Sequence, residues 1–256
     1  MIHFVGAGPG APDLITVRGQ RLLAQADVVI YAGSLVNPEL LGSCKPSCEV
    51  YDSAGMTLEE VVAVMHSSEA AGRDCVRLHT GDPSLYGAIR EQMDALDELG
   101  ISYEIVPGVS SFLAAAAALG VEYTVPQVSQ SVIVTRMEGR TPVPEGERLR
   151  ALAAHGSTLV LFLSVGLLDA AQEELLLGGY APETPCAIVY RASWPDEAVY
   201  RCTLATLAEC AREHGVHKTA LVVVGEVLGS HAERSLLYHP GFSHGYRTAS
   251  EPAKGA

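Results

Sequence analysis

The first half of the chain alternates short apolar runs with longer segments of helical character. The apolar runs end at Gly, Pro or small polar residues: IHFVG, DVVIYAG, CEVYD, CVRLHTG and YEIVPG. Between them lie DLITVRGQRLLAQA, MTLEEVVAVMHSSEAAG and SLYGAIREQMDALDELG, and SSFLAAAAALG follows the fifth run. Apolar strands separated by helices are typical of a parallel sheet that is covered on both faces. We therefore predict an α/β domain here, with a capping box of Thr57 and Glu60 at the start of its second helix.

The second half contains five more strand-like runs: SVIVTR, STLVLFLS, PCAIVYRAS, EAVYRCTL and TALVVVGEV. A single helical segment, LATLAECAREHG, lies among the last three runs, so we expect a hairpin and a mixed sheet. The segment VEYTVPQVSQ interrupts the alternation with Pro126 and polar residues. The predicted domains are therefore residues 1–122, an N-terminal parallel α/β domain, residues 123–240, a C-terminal mixed α/β domain, and residues 241–256, a polar tail.

The charge of the chain restricts the partners that it can bind. The 256 residues carry 30 acidic and 17 basic side chains, a formal net charge of −13. This balance disfavours a broad nucleic-acid surface and binding to anionic membranes. The sequence contains no basic leader and no apolar run of membrane-spanning length, so we predict a cytoplasmic protein. An anionic substrate would require the few arginines to be gathered locally.

The cysteines and histidines give little support to a metal site. Six scattered cysteines in a chain of this length favour reduced thiols rather than disulfides. Cys44 and Cys48 form C-x3-C without a second pair, which is weak evidence for zinc. His231, His239 and His244 fit a polar tail better than a set of ligands. We therefore predict no metal.

The glycine-rich stretch GAGPGAP at residues 6–12 allows two interpretations. Gly6, Gly8 and Ala11 match the dinucleotide pattern G-x-G-x-x-G/A, in which backbone amides approach a pyrophosphate. That pattern needs an acidic residue at the end of the second strand, where this chain has Ala32 and Gly33. Pro9 and Pro12 also each remove an amide donor. A dinucleotide site is therefore disfavoured, and a P-loop is excluded because no G-K-[ST] occurs.

Four strand ends carry small or turn-forming residues, and ligands of open α/β sheets bind beyond such ends. They are GAGPGAP (6–12), HTGDPSLYG (79–87), VPGVSS (106–111) and LFLSVG (161–166). The third residue of TGDP, Asp82, could serve a ligand, or it could simply cap the next helix. No catalytic triad, G-x-S-x-G or H-E-x-x-H motif supports a hydrolase.

Taken in order, five blocks resemble the tetrapyrrole methyltransferase family, which uses S-adenosylmethionine. They are VGAGPGAPDLITVRGQRLLAQADVVIYAG, RLHTGDPSLYG, EIVPGVSSFLAAAAALG, TLVLFLSVG and ALVVVGEV, spread from Ile2 to about Gly229. The resemblance implies a homodimer in which each chain has two α/β domains with the cofactor cleft between them. YAGSLVNPELL, SAGMTLEEVV and LHTGDPSLYGAIREQM are most similar to the branch that methylates C11 of precorrin-4 or cobalt-precorrin-4 in cobalamin biosynthesis.

The resemblance also implies which residues bind the ligands. The positions that correspond to S-adenosylmethionine contacts are Pro9, Thr80, Gly81, Asp82, Leu85, Ser110, Ser111, Leu163, Ala192 and Ala220. Arg18, Arg136 and Arg191 are candidates for binding the carboxylates of an anionic tetrapyrrole, with solvated surface arginines as the alternative. No residue is singled out as a general base.

Two other functions stay open from the residues alone. One is methylation at another tetrapyrrole position, as in uroporphyrinogen III, or of a non-tetrapyrrole substrate as in diphthine synthase. Ala32 and the pair Asp52–Ser53 argue against the uroporphyrinogen reaction, because relatives with that activity carry an acidic residue and a Lys at these places. The other alternative is an NAD-binding oxidoreductase, which the absence of an acidic residue at Ala32 disfavours.

Overall fold

All ten predicted strands are present in the computed structural model, which describes residues 1–229 and 240–250. The chain folds into two compact units. The first contains Met1–Ala118, Val189–Val199 and Thr219–Leu221, and the second contains the remaining described residues. The domain boundary proposed between residues 122 and 123 stays a prediction. His231 and His239 lie outside the described residues.

The first sheet is parallel, as predicted. Its strands are β1 (Ile2–Gly6), β2 (Val28–Tyr31), β3 (Glu49–Asp52), β4 (Cys75–His79) and β5 (Tyr103–Val106). They lie in the order β3-β2-β4-β1-β5. Ile2 pairs in register with Cys75 on one side and with Tyr103 on the other. The carboxyl ends of β4, β1 and β5 are therefore neighbours at one edge of the sheet.

Four α-helices accompany this sheet: α1 (Val17–Gln25), α2 (Leu58–Ala70), α3 (Arg90–Glu98) and α4 (Ser111–Leu119), of which α4 ends one residue past the boundary at Ala118. The capping box at the start of α2 is confirmed, because the Thr57 side chain accepts from the Glu60 amide and the Glu60 carboxylate accepts from the Thr57 amide. Helix α1 begins at Val17 and not at Asp13, since Thr16 is its N-cap.

The predicted helical segment from Ser84 to Gly100 is wrong in its first part. Tyr86 and Ala88 have φ values of 56° and 49°, in the left-handed region that a right-handed helix excludes. Gly87 lies between them, and a Cβ there would be 2.3 Å from the carbonyl oxygen of Pro83. The segment after Asp82 is therefore a compact turn, and α3 begins only at Arg90.

The parallel sheet buries apolar side chains on both faces. Val5, Val29 and Leu78 pack with Leu23 of α1 in one cluster. Phe4 and Ile30 pack on the opposite face with Met65 of α2 and Leu96 of α3 in another cluster, and all of these side chains are fully buried. Two-sided burial explains why these strands read as continuous apolar runs instead of alternating ones.

The second sheet is mixed, as predicted. It contains β6 (Val132–Arg136), β7 (Thr158–Phe162), β8 (Pro185–Tyr190), β9 (Ala198–Thr203) and β10 (Ala220–Val224) in the order β6-β7-β10-β8-β9. Strand β7 runs parallel to β6 and antiparallel to β10. The accompanying helices are α5 (Leu149–Ala153), α6 (Leu168–Leu177) and α7 (Leu207–Glu213).

Candidate functional site

Three of the four small-residue strand ends meet at one edge of the parallel sheet. They follow β1, β4 and β5, and β1 lies between the other two. Gly8 and Gly81 form an isolated bridge in which the Gly81 amide donates to the Gly8 carbonyl at 2.8 Å and the Gly8 amide donates to the Gly81 carbonyl at 3.2 Å. The loops after β1 and β4 are thus joined directly through their backbones.

Glycine is required where these loops approach each other. A Cβ on Gly108 would lie 2.1 Å from the carbonyl oxygen of Gly81 and 2.7 Å from the Cα of Gly6. A Cβ on Gly6 would lie 2.5 Å from the Cα of Gly108. Real Cβ atoms do not approach backbone so closely, so the contact of the three loops depends on the absence of side chains.

Asp82 ties the loop after β4 to the loop after β5. One carboxylate oxygen accepts from the Gly108 amide at 2.8 Å, and the other accepts from the Ser84 amide at 2.9 Å and from the Ser84 hydroxyl. Burial alone would raise the pKa of Asp82, but the hydrogen bonds from Ser84 and Gly108 outweigh it and lower that pKa below its usual value. Asp82 is therefore an ionised carboxylate at this edge.

Several backbone amides of the loop at residues 6–12 form hydrogen bonds within the protein. The amides of Ala7 and Gly8 donate to the carbonyls of His79 and Gly81, and the Ala11 amide donates to the Ser193 hydroxyl. Pro9 and Pro12 have no amide. Three amide donors of this loop are thus occupied and two are missing, which is a physical reason against the dinucleotide alternative.

A second segment of the first unit, residues 191–194, contacts this loop. Arg191 and Ser193 have φ values of 46° and 67°, and Ala192 between them is buried. The Arg191 amide donates to the carbonyl of Thr219, the residue before Ala220. Such backbone outliers persist only where surrounding contacts impose them, and they cluster at ligand sites.

Nine of the ten predicted cofactor residues lie in the first unit. Pro9, Thr80, Gly81, Asp82, Leu85, Ser110 and Ser111 are on the three joined loops or at the start of α4, and Ala192 and Ala220 are on the segments bonded to each other at Arg191 and Thr219. Leu163 is in the second unit, where it is 68% exposed with a φ of 53°.

The three predicted substrate arginines have different surroundings. Arg18 is exposed on α1. Arg136, in the second unit, donates to the carbonyls of Met137, Thr141 and Pro142. Arg191 forms a 2.5 Å ion pair with Asp196, and its guanidinium lies 4.2 Å from the ring centroid of Trp194. Of the three candidates, Arg18 is therefore the one whose guanidinium has neither a hydrogen bond nor an ion pair with a described residue.

Sequence reasoning missed two buried ionisable side chains beneath this edge, Arg77 and His79 on β4. Arg77 donates to the Gln92 side chain at 3.1 Å and to the Ile30 carbonyl at 3.2 Å, and burial lowers its pKa to about 10. Burial, with a contribution from Arg77, lowers the pKa of His79 to about 3, so its imidazole is neutral. Both residues lie in the block RLHTGDPSLYG, but their positions inside strand β4 gave no sign that their side chains would be buried.

Trp194, Asn37 and Ser193 were missed as well, although all three fix the loop at residues 6–12. Their partners are Pro9, Gly10 and Ala11 respectively. Trp194 is the only tryptophan of the chain, which is the one signal that could have directed attention to it.

The described residues show neither a metal centre nor a membrane span. Nowhere in residues 1–229 and 240–250 do three His, Cys, Asp or Glu side chains group so that they could hold a metal ion. All six cysteines are free thiols, and burial raises the pKa of Cys44 to about 11. Within the same residues, no helix has both the length and the apolar character needed to cross a membrane.

Comparison with known proteins identifies the family. The family model for tetrapyrrole (corrin/porphyrin) methylases matches residues 1–208. The chain is 55% identical over 247 residues to the cobalt-precorrin-4 C(11)-methyltransferase of Methanocaldococcus jannaschii, covering 96% of this chain and 95% of that protein. The family match and this identity make the chain an α/β methyltransferase. The chain belongs to the tetrapyrrole (corrin/porphyrin) methylase family.

Solved structures agree with this assignment. The X-ray structure of a cobalamin biosynthetic enzyme, cobalt precorrin-4 methyltransferase, is 49% identical with a TM-score of 0.88, covering 90% of this chain and 96% of that one. The uroporphyrin-III C-methyl transferase from Thermus thermophilus complexed with S-adenyl homocysteine is 32% identical with a TM-score of 0.75, covering 89% of this chain and 98% of that one.

Proposed function

We propose that this protein transfers the methyl group of S-adenosylmethionine to C11 of precorrin-4 or cobalt-precorrin-4 in cobalamin biosynthesis. The observation that carries the proposal is the 55% identity over nearly the full length of both chains to a protein named for that reaction. The relative that acts on uroporphyrinogen III matches at 32% identity. Ala32 and Asp52–Ser53, which depart from the uroporphyrinogen pattern, favour the same choice.

We propose the same ten residues as the cofactor site. The chemistry of the positions fits the cofactor, because they include one carboxylate, Asp82, and no cation, whereas the reactive group of S-adenosylmethionine is a cationic sulfonium. A ligand can also approach the backbone closely at Gly81, because this residue has no side chain. A Cβ there would lie 3.4 Å from the Ser111 amide nitrogen and take up space at this edge of the sheet. Small residues at strand ends thus leave room for a ligand.

When bound, S-adenosylmethionine would supply an electrophilic methyl group, and the ring carbon of the macrocycle would be the nucleophile. The contribution of the protein is then to orient the two reactants and to exclude water, and orientation alone can supply a large part of the acceleration of a displacement. The three joined glycine loops suit this role because hydrogen bonds and close backbone contacts fix them against one another. This orienting role requires no proton acceptor among the ten residues.

The acetate and propionate groups of the substrate need cations, and we propose Arg18, Arg136 and Arg191. A guanidinium binds a carboxylate bidentately. Arg191 would have to exchange Asp196 for the substrate, and Arg136 would have to give up backbone carbonyls. Arg18 would lose no such contact.

The experiment is a methyl-transfer assay with precorrin-4 and cobalt-precorrin-4 as parallel substrates and uroporphyrinogen III as the comparison. We expect a product that gains one methyl, located at C11 by NMR, from at least one of the first two substrates. Calorimetry should show binding of S-adenosylhomocysteine and none of NAD. Methylation of uroporphyrinogen III alone, or binding of NAD alone, would contradict the proposal.

We further propose that the protein is a cytoplasmic homodimer without disulfides. The family resemblance supports the dimer, and the six free cysteines support a reducing compartment. Light scattering should give twice the mass of the chain, and mass spectrometry should show no change on reduction. Cell fractionation tests the location.

A further inference from the structure

Trp194 lies directly against the loop at residues 6–12. Its indole Nε1 donates a hydrogen bond to the Pro9 carbonyl at 3.0 Å. A Cβ on Gly10 would be 2.1 Å from Cδ1 and 2.3 Å from Nε1 of the same ring. The indole therefore occupies the space where any side chain at position 10 would begin.

Two further side chains fix the same stretch of backbone. The Ser193 hydroxyl accepts from the Ala11 amide at 3.0 Å, and the buried Asn37 side chain donates to the Gly10 carbonyl at 2.9 Å. Pro9 and Pro12 have no amide with which to stabilise the loop internally. Three consecutive residues, Pro9 to Ala11, are thus each fixed by a side chain from elsewhere in the first unit.

The segment that carries Trp194 is itself well fixed. The Trp194 amide donates to the Arg191 carbonyl at 3.0 Å, and the Ser193 amide donates to the Glu197 carboxylate at 2.6 Å. The Arg191 guanidinium stacks 4.2 Å from the centroid of the tryptophan ring. These contacts hold the indole in a defined orientation against the loop.

We infer that Trp194 is a positioning residue that fixes the Pro9–Ala11 backbone in the conformation that binds S-adenosylmethionine. The inference rests on the proposed function. If the indole is altered, the loop samples other conformations, and apparent affinity falls in proportion to the population of the competent one. The effect should thus appear in the affinity for the cofactor and in its KM, and not in kcat.

The test compares Trp194→Phe, Trp194→Ala, Gly10→Ala and the double variant Gly10→Ala/Trp194→Ala in the full chain. Phe keeps an aromatic ring and loses the indole donor, and Ala loses both. Gly42→Ala is the matched control, because a Cβ at exposed Gly42 meets nothing within 4 Å. Calorimetry with S-adenosylhomocysteine gives the dissociation constant, steady-state assays give KM and kcat, and thermal unfolding checks the fold.

We expect Trp194→Phe to weaken S-adenosylhomocysteine binding roughly three- to tenfold, as for the loss of one hydrogen bond, and Trp194→Ala to weaken it further. KM for S-adenosylmethionine should rise by the same factor, with kcat within about twofold of wild type. Gly10→Ala should weaken binding strongly when Trp194 is present, because the new Cβ clashes with the indole. In the Trp194→Ala background that clash is absent, so Gly10→Ala should weaken binding little further. Gly42→Ala should bind as wild type does.

The outcomes separate the inference from the proposed function. If wild type binds S-adenosylhomocysteine and Trp194→Phe and Trp194→Ala bind it equally well, the positioning role is overturned while the proposed function stands. Additive effects of Gly10→Ala and Trp194→Ala would overturn it too, as would a lower melting temperature with unchanged affinity. A wild-type protein that ignores S-adenosylhomocysteine overturns both.

Discussion

At the end of β4, His79 carries an imidazole that the folded protein keeps neutral. Its Nε2 is buried without a hydrogen-bond partner, and burial together with Arg77 lowers its pKa to about 3 from an ordinary value of 6.5. Between these two pH values the unfolded chain binds a proton at this position and the folded chain does not. The free energy of unfolding therefore falls as the pH falls through this window.

Removing His79 should make stability less dependent on pH. In wild type, His79 should lower the free energy of unfolding by about 1.4 kcal/mol for each pH unit that the pH falls between about pH 6 and pH 4. We expect His79→Leu to lack this contribution. Urea unfolding at several pH values measures the difference, and His66→Gln, a change at an exposed histidine, is the control. Equal slopes for wild type and His79→Leu would show that His79 titrates normally in the folded chain.

Gly108 is the residue at which a single methyl group should be costly. A Cβ added there would clash with the carbonyl oxygen of Gly81 and the Cα of Gly6. The loops after β1 and β4 are hydrogen-bonded to each other, so neither can shift alone to relieve the clash. We expect Gly108→Ala to destabilise the protein by about 1–3 kcal/mol, the range for overpacking. Gly55→Ala places its Cβ in open space and should leave the midpoint of chemical unfolding near that of wild type. A neutral Gly108→Ala would mean that the loops are not in contact.

At the scale of elements, the strands and the start of α2 could be predicted from local pattern, whereas the starts of α1 and α3, the helices α5 and α6 and the turn at residues 83–89 could not. A short run that is rich in β-branched or aromatic residues and ends at Gly, such as IHFVG, favours a buried strand, and Thr57 with Glu60 marks a helix start by its own chemistry. The left-handed conformations of Tyr86 and Ala88 have no such local signal. Likewise, the hydrogen bond from Trp194 to Pro9 joins residues 185 positions apart, so it depends on the tertiary fold alone.

The capping box of α2 allows a test of whether local side-chain chemistry stabilises the start of this helix. We expect Thr57→Ala to lower the free energy of unfolding by about 1 kcal/mol, because the Glu60 amide loses its acceptor and the N-cap preference is lost. Thr57→Ser keeps the hydroxyl and should retain most of the stability. Thermal and urea unfolding of the two variants give the comparison, and equal losses in both would assign the effect to packing of the Thr57 methyl group.

At the scale of the whole molecule, the proposed substrate carries several carboxylates, whereas the chain has a net charge of −13 and few free cations. Most arginines are already engaged: Arg73 with Glu49, Arg90 with Asp94, Arg150 with Glu174, and Arg212 with Asp169. Arg18 forms no ion pair with any residue that the structure describes, and the α1 helix on which it stands follows the loop at residues 6–12. Arg18 is therefore an exposed guanidinium close to that loop in sequence, and an anionic substrate can recruit it without breaking an ion pair.

Neutralising Arg18 should therefore affect the tetrapyrrole and not the cofactor. A hydrogen bond to a charged group contributes about 1.5–3 kcal/mol, so Arg18→Gln should raise KM for the tetrapyrrole by roughly tenfold or more. KM for S-adenosylmethionine and the melting temperature should stay close to wild type, because the side chain supports no other residue. Arg90→Gln removes the same charge from a surface ion pair on α3 and is the control for net charge alone. If the two variants raise KM equally, the substrate responds to the field of the whole chain and Arg18 holds no carboxylate.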